Sequence, residues 1–173
     1  MAAALFTREI QDLADPVEVS SAGVLDNDGT PVPDEVLEVM APYGVDLSGH
    51  RSQTLTASLL QSCDLIVGMG GRHVQEAILV DPPCWPQAFT LKALVRRSAE
   101  IGPRRPDQGI RSWIDSAHGD RTRASMARRL PDDEVADPYG RSLDRYRSTA
   151  AELAQLTAQL AGALWPDEVR HSA

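Results

Sequence analysis

Apolar positions in the first half of the chain alternate between short runs and helical spacings. Leu5, Phe6, Ile10 and Leu13 fall near helical spacing with no N-cap ahead of them, so the chain is expected to open inside a helix. Val17 to Ser21 reads as a short strand closed by Ala22 and Gly23, and Asp26 to Pro33 as a loop rich in Asp, Asn, Gly and Pro. Val36, Val39, Met40 and Tyr43 then follow i, i+3, i+4, i+7. Pro33, Asp34 and Glu35 suit the first turn and Gly44 the stop, which predicts a helix. Thr56 suits the cap of a short helix through Leu60. Asp64 to Met69 is an apolar run fit for a buried parallel strand, ended by Gly70 and Gly71. A turn signal at Asp81 to Pro86 precedes Ala88 to Leu91, a last short strand running into a helix through Val95 and Ala99.

The pattern weakens after Gly102. Pro103, Pro106 and Gly109 interrupt it, Trp113 and Ile114 suit a helix, and Pro131 to Glu134 reads as an acidic loop. It recovers at Leu153, Leu156, Leu160 and Leu164, one apolar stripe on a helix that stops at Trp165 and Pro166. Strand and helix signals in alternation predict an α/β fold with a parallel sheet covered on both faces. The 173 residues suit a single domain, read as 1–165 with a tail at 166–173.

Composition narrows the function classes. A hydrophobic content of 42% with 24% charged residues is that of a folded soluble protein. No run approaches the roughly 20 apolar residues of a membrane span, and Met1 to Phe6 is too short for a secretory signal. No membrane association is expected, and a cytoplasmic location follows by default. Cys63 and Cys84 are then expected to be free thiols, and they lack metal-site spacing. The net charge of −8 argues against nucleic acid as a partner. Charge is uneven, however: 13 basic residues face nine acids between Lys92 and Arg147, a local field of +4 that reads as a solvated surface or as attraction for an anionic substrate.

Four strings carry chemistry when taken in order. Ser21-Ala22-Gly23 follows the first strand signal, and Gly44-Val45-Asp46-Leu47-Ser48-Gly49-His50-Arg51-Ser52 follows the second helix. Asp64-Leu65-Ile66-Val67-Gly68-Met69 is the buried strand, and Asp137-Pro138-Tyr139-Gly140 precedes the last helix. In this order and spacing the chain resembles the low-molecular-weight protein tyrosine phosphatases over roughly Met1 to Leu164. The Arg-rich and Pro-rich stretch before Asp137 gives the resemblance an actinobacterial character.

That resemblance implies a three-layer doubly wound parallel sheet and catalysis without metal or cofactor, acting on a phosphotyrosine protein or a small aryl phosphate. In the family a C-x5-R-S-P loop joins the first strand to the first helix. Its cysteine must be a thiolate to attack phosphorus, and helix N-terminal N–H groups with the arginine lower its pKa and hold the phosphate. An aspartic acid elsewhere protonates the departing oxygen and later activates water against the phosphocysteine. By resemblance that general acid is Asp137, while Tyr139 lines the pocket rim and stacks on the substrate ring. Ser21 and His50 match positions that support the shape of the phosphate loop. The remaining histidines are given no role; His73 is expected to face solvent on a helix.

The loop itself departs from the family pattern. Six positions beyond Cys63 stands Met69, and six beyond Cys84 stands Thr90, so neither cysteine begins C-x5-R. Both read as structural, Cys63 at a helix end or strand start. Met1-Ala2-Ala3-Ala4-Leu5 resembles the residues just past the loop in family members, and the family's first, central strand is expected to be missing along with the loop. Losing a central strand leaves backbone groups unpaired at roughly 1 to 3 kcal/mol each, against a total stability of about 5 to 15 kcal/mol. The natural product is therefore expected to be longer at its N-terminus, with Met1 an internal methionine, and the 173 residues alone to be inactive. Two alternatives stand beside the phosphatase reading: a catalytically dead binding module, and an arsenate reductase on the same fold, which would need further thiols near the loop. Gly68-Met69-Gly70-Gly71 is no dinucleotide fingerprint, because His73 stands where the third glycine would fall.

Overall fold

The structure, a computed structural model, describes residues 1–24, 28–122 and 131–168. Asp26 and Asn27 of the expected loop, Arg123, Arg128 and Arg129 of the basic stretch, and His171 with most of the tail lie outside the described residues. Among the described residues the elements run α1 (Ala2–Glu9), α2 (Asp34–Met40), α3 (Ala57–Ser62), β1 (Ile66–Gly68), α4 (Gly71–Val80), β2 (Ala88–Thr90), α5 (Leu91–Ile101), α6 (Ile110–His118) and α7 (Leu143–Leu164). Short 3-10 turns follow α2 at Ala41–Tyr43, precede β2 at Pro82–Gln87, and fall at Pro131–Asp133. Two compact units divide the chain: 1–54 with 136–162 and 167–173, and 55–135 with 163–166.

In the second unit β1 and β2 pair in parallel, with Ile66 opposite Ala88, Val67 opposite Phe89 and Gly68 opposite Thr90. Parallel strands cannot be joined by a tight turn, and α4 supplies the crossover. Both strands are shorter than the apolar runs suggested. At β2 the cause is local, since the Thr90 hydroxyl accepts the Ala93 N–H at 3.3 Å and so starts α5 one residue earlier than expected. Thr56 caps α3 in the same way, accepting from Leu59 N at 3.3 Å. Leu60, Val74, Ala77, Cys84 and Ala88 form a buried cluster against which Leu55, Ile66 and Ile78 pack. Both cysteines are free, with Cys63 at the C-cap of α3. Arg121 braces the outer end of this unit: its guanidinium lies 3.6 Å from the Phe89 ring centroid and donates to the Ala88 and Pro86 carbonyls at 2.9 Å.

One edge of the second unit is held by a segment the sequence marked only as acidic. Val135 N donates to Met69 O at 2.8 Å and Lys92 Nζ to Glu134 O at 2.7 Å. The Glu134 carboxylate accepts the Gly71 N–H at 2.9 Å, at the start of α4. A carboxylate there satisfies one of the free N–H groups of the first turn and opposes the positive end of the helix dipole.

In the first unit α1 buries Leu5, α2 buries Val36, Val39 and Met40, and α7 buries Tyr146, Ala150, Leu153 and Leu160. The helix predicted from Val36 to Tyr43 forms as α2 and its 3-10 turn, and Gly44 stops it in the left-handed region at φ 69°. Arg8 Nη1 donates to Tyr43 O at 3.1 Å, and Arg147 on α7 pairs with Glu38 on α2 at 3.0 Å.

Val17 to Ser21 corrects the sequence reading, because no strand forms there. A strand exists through a neighbour's ladder of hydrogen bonds, and among the described residues of this unit none runs alongside. The nearest pairing is a single bridge between Gly23 and Thr54. Among the described residues the sheet therefore has two strands rather than three.

Candidate active site

Ser21, His50, Asp137 and Tyr139 all belong to the first unit. The loop from Asp46 to Thr54 is built on local polar contacts. Asp46 accepts the Ser48 N–H at 2.8 Å and the Ser48 hydroxyl at 3.1 Å, and these bonds hold its carboxyl below the usual range. Arg51 Nη1 donates to the carbonyls of Ser48 and His50 at 3.0 and 2.8 Å. Further on, Gln53 Nε2 donates to Ser21 O at 2.9 Å while Gly23 N donates to Gln53 O, and Gly29 N donates to Ser52 O. These bonds join the Ser21 and His50 segments into one surface. The Ser21 hydroxyl and the His50 ring make no hydrogen bond among the described residues, and neither residue is bonded to Asp137 or Tyr139.

The Asp-Pro-Tyr segment is a turn with a fixed geometry. Asp137 Oδ1 accepts the Tyr139 N–H at 3.0 Å, and Arg141 N donates to Pro138 O at 2.9 Å. Gly140 sits between them at φ 68°, the left-handed value that the third position of a type II turn requires. Thr149 Oγ1 ties the segment to α7 by donating to Ala136 O at 3.2 Å. Pro138 is buried, Asp137 is exposed, and Tyr139 presents 76% of its surface to solvent. The turn thus projects a carboxyl and an aromatic ring outward from a rigid base.

Beside Asp137 an open cleft of about 490 Å³ runs along α7, lined by Arg141, Arg145, Ser148, Thr149 and Glu152 among others. Tyr139 is not among its lining residues. Arg145, Ser148 and Glu152 recur at steps of three and four residues on one face of α7, and Arg141 stands two residues ahead of the helix, just past the turn. The two arginines escaped the sequence reading, which took them as part of a diffuse basic surface; their spacing after Asp-Pro-Tyr-Gly was the available signal. Among the described residues no group of three or more His, Cys, Asp or Glu side chains is arranged to hold a metal ion, and no helix is long and apolar enough to cross a membrane.

Comparison with known proteins gives one consistent result. The sequence model described as low molecular weight phosphotyrosine protein phosphatase matches residues 1–99. A probable low molecular weight protein-tyrosine-phosphatase of Ralstonia solanacearum, EpsP, is 47% identical over 60 residues, 35% of this chain and 41% of that protein. The chain therefore aligns with about two fifths of that relative. The protein-arginine-phosphatase of Bacillus subtilis is 28% identical over 167 residues, 96% of this chain and 89% of that one. A Halobacterium salinarum protein named for arsenate reduction is 37% identical over 79 residues, 45% of this chain and 54% of its own length. Among solved structures, the low molecular weight protein tyrosine phosphatase from T. tengcongensis superposes with a TM-score of 0.67 at 27% identity, covering 94% of this chain and 88% of that one. The Bacillus subtilis low molecular weight protein tyrosine phosphatase gives 0.67 at 28% identity, covering 96% and 88%.

Proposed function

The chain belongs to the low molecular weight phosphotyrosine protein phosphatase family, and on that premise we propose that it acts on phosphotyrosine or small aryl phosphate monoesters. Asp137 is the leaving-group acid, Tyr139 the rim group that stacks on the substrate ring, and Ser21 and His50 support the phosphate-holding loop. One observation carries the reading: the Asp137 carboxyl is exposed at the mouth of an open cleft, on a turn fixed by its own hydrogen bond to Tyr139 N. A tyrosine oxygen has a pKa near 10, so it leaves poorly as phenolate and well as phenol. As the P–O bond to the ring breaks, the Asp137 proton passes to the ring oxygen. The carboxylate that remains takes a proton from water as that water displaces the sulfur from phosphorus.

The thiolate for this cycle belongs to a C-x5-R loop that the 173 residues do not contain. The reading therefore gives this chain the acid and the substrate face, and expects it to be inactive by itself. The test is hydrolysis of phenyl phosphate by the protein purified from its own cells, with its intact mass measured, beside the 173 residues alone. Activity in the first and none in the second is expected. A mass equal to the 173 residues with no hydrolysis sinks the reading in favour of a binding module.

A second substrate is favoured by one comparison. The relative aligned along 96% of the chain is named for phosphorylated arginine, so phosphoarginine belongs in the same assay as the competing substrate. For the arsenate reductase reading, which needs a thiol to resolve the reaction, Cys84 is buried with its thiol pushed up by burial, which leaves half-buried Cys63 as the candidate among the described residues.

A further inference from the structure

Several other arginines among the described residues are matched to carboxylates. Arg147 reaches Glu38 at 3.0 Å and Asp144 at 3.1 Å, Arg96 reaches Asp133 at 2.9 Å, and Arg111 reaches Asp64 at 2.7 Å. The half-buried cations Arg97, Arg104 and Arg121 each donate to backbone carbonyls, as does exposed Arg51. Arg141 and Arg145 do neither: among the described residues their side chains make no ion pair and no hydrogen bond, although the chain holds 25 acids against 17 bases. Both line the cleft beside Asp137, Arg145 in the first turn of α7 and Arg141 two residues ahead of that helix. Of the two acids lining the cleft, Glu152 lies seven residues beyond Arg145, about 10 Å by helical rise. The other is Asp137, which is uncharged when it carries the proton that its proposed role requires. In that state the end of the cleft next to the acid holds two guanidinium groups and no opposing charge.

We propose that Arg141 and Arg145 form a subsite for an acidic side chain next to the phosphorylated residue, so that the preferred substrate is a phosphotyrosine within an acidic peptide. The inference rests on the reading of Asp137 as the leaving-group acid and adds the sequence context of the substrate to it. Two planar forks lining one cleft, four residues apart in the chain, suit carboxylates of an extended peptide, and arginine binds carboxylate in bidentate fashion. The same charges disfavour phosphoarginine, whose guanidino group would approach two cations.

Two fluorescently labelled phosphotyrosine peptides of equal length test the subsite, one with aspartates and one with glutamines flanking the phosphorylated residue. Titrated against the 173-residue chain at low salt, the aspartate peptide is expected to bind about five- to tenfold tighter, the effect of two partly exposed ion pairs. The ratio should fall towards one in roughly 1 M salt, where the Debye length shrinks to about 3 Å. It should also collapse in the Arg141→Gln, Arg145→Gln double variant and survive in the Arg141→Lys, Arg145→Lys variant, which keeps the charge. A ratio within twofold in the parent chain, a ratio kept in the glutamine variant, or no binding of either peptide overturns the subsite. Phenyl phosphate carries no flanking charge, so its hydrolysis by the protein from its own cells tests the phosphatase reading separately, and either result can fail without the other.

Discussion

Gly70→Ala changes sign with its surroundings, and the structure says by how much. Gly70 is extended, with φ −170° and ψ 169°, a conformation open to any residue, so alanine brings no backbone strain. A Cβ there would overlap Glu134 Oε2 and lie 2.7 Å from Glu134 Cδ. The carboxylate must swing away, while Val135 N to Met69 O and Lys92 Nζ to Glu134 O keep its backbone in place. What is lost is the bond from Gly71 N at 2.9 Å and a negative charge at the start of α4. A lost cap costs about 1 kcal/mol and the dipole interaction about 0.3 to 1 kcal/mol. Against this, alanine in place of glycine stiffens the unfolded chain and returns about 0.4 to 1 kcal/mol. The net loss is about 1 kcal/mol. In a Glu134→Ala background there is no carboxylate to displace, and the same change should stabilise by about 0.4 to 1 kcal/mol. Urea unfolding of the four proteins of this cycle, followed by far-UV circular dichroism, reads a coupling of about 1 to 2 kcal/mol between the two sites. Equal effects of Gly70→Ala in both backgrounds would refute the capping role of Glu134.

Four further outcomes concern other parts of the molecule. Asp137→Asn in the protein purified from its own cells should lower aryl phosphate hydrolysis about 10² to 10⁴-fold with phenol as leaving group, and less with nitrophenol, which departs readily without a proton; an equal loss for both esters counts against Asp137 as the acid. Burial first, then the Arg121 charge, holds the His118 imidazole below its ordinary value, and Arg121 Nη2 stands 3.1 Å from its Nδ1. Folding thus favours the neutral ring, so its contribution is complete above about pH 6.5 and is lost as pH falls through the lower folded value; a His118→Gln variant should flatten the unfolding midpoint across that window, and an unchanged slope excludes the effect. In the folded protein Cys84, 2% exposed and with its thiol pushed up by burial, should resist iodoacetamide at pH 8 while half-buried Cys63 reacts, as peptide mass mapping would show. Trp113 is 1% exposed and its indole N–H donates to Gly102 O at 3.1 Å, so Trp113→Ala should cost about 3 to 5 kcal/mol in the same urea assay.

What the sequence made legible was what a short window decides. The spacing of Val36, Val39, Met40 and Tyr43 with Gly44 behind them is α2 and its stop, and the Thr56 hydroxyl caps α3 as expected. The last helix starts well before its leucine stripe, because Tyr146 and Ala150 extend the buried face towards the Asp-Pro-Tyr turn. Val17 to Ser21 has the composition of a strand, yet strand character depends on a partner that no window reveals. Glu134 shows the same limit for a polar group. In sequence it belongs to an acidic loop, and only the fold brings it to a helix start 63 residues earlier in the chain.

Arg141 and Arg145 carry this distinction into the candidate site. Their spacing of four residues behind the Asp-Pro-Tyr turn could be read from the sequence, but their lack of carboxylate partners among the described residues could not, since Arg147, two residues beyond Arg145, finds one 109 residues away on α2. Among the described residues, the basic stretch therefore holds cations already matched within the fold and a pair that is not. Of the described arginines in this stretch, the unmatched pair is the one available to a substrate, because an arginine held by Glu38 or Asp133 would have to give up that partner before it could bind an incoming anion. The position of the pair beside Asp137, rather than the charge of the whole stretch, is what gives the cleft a preference.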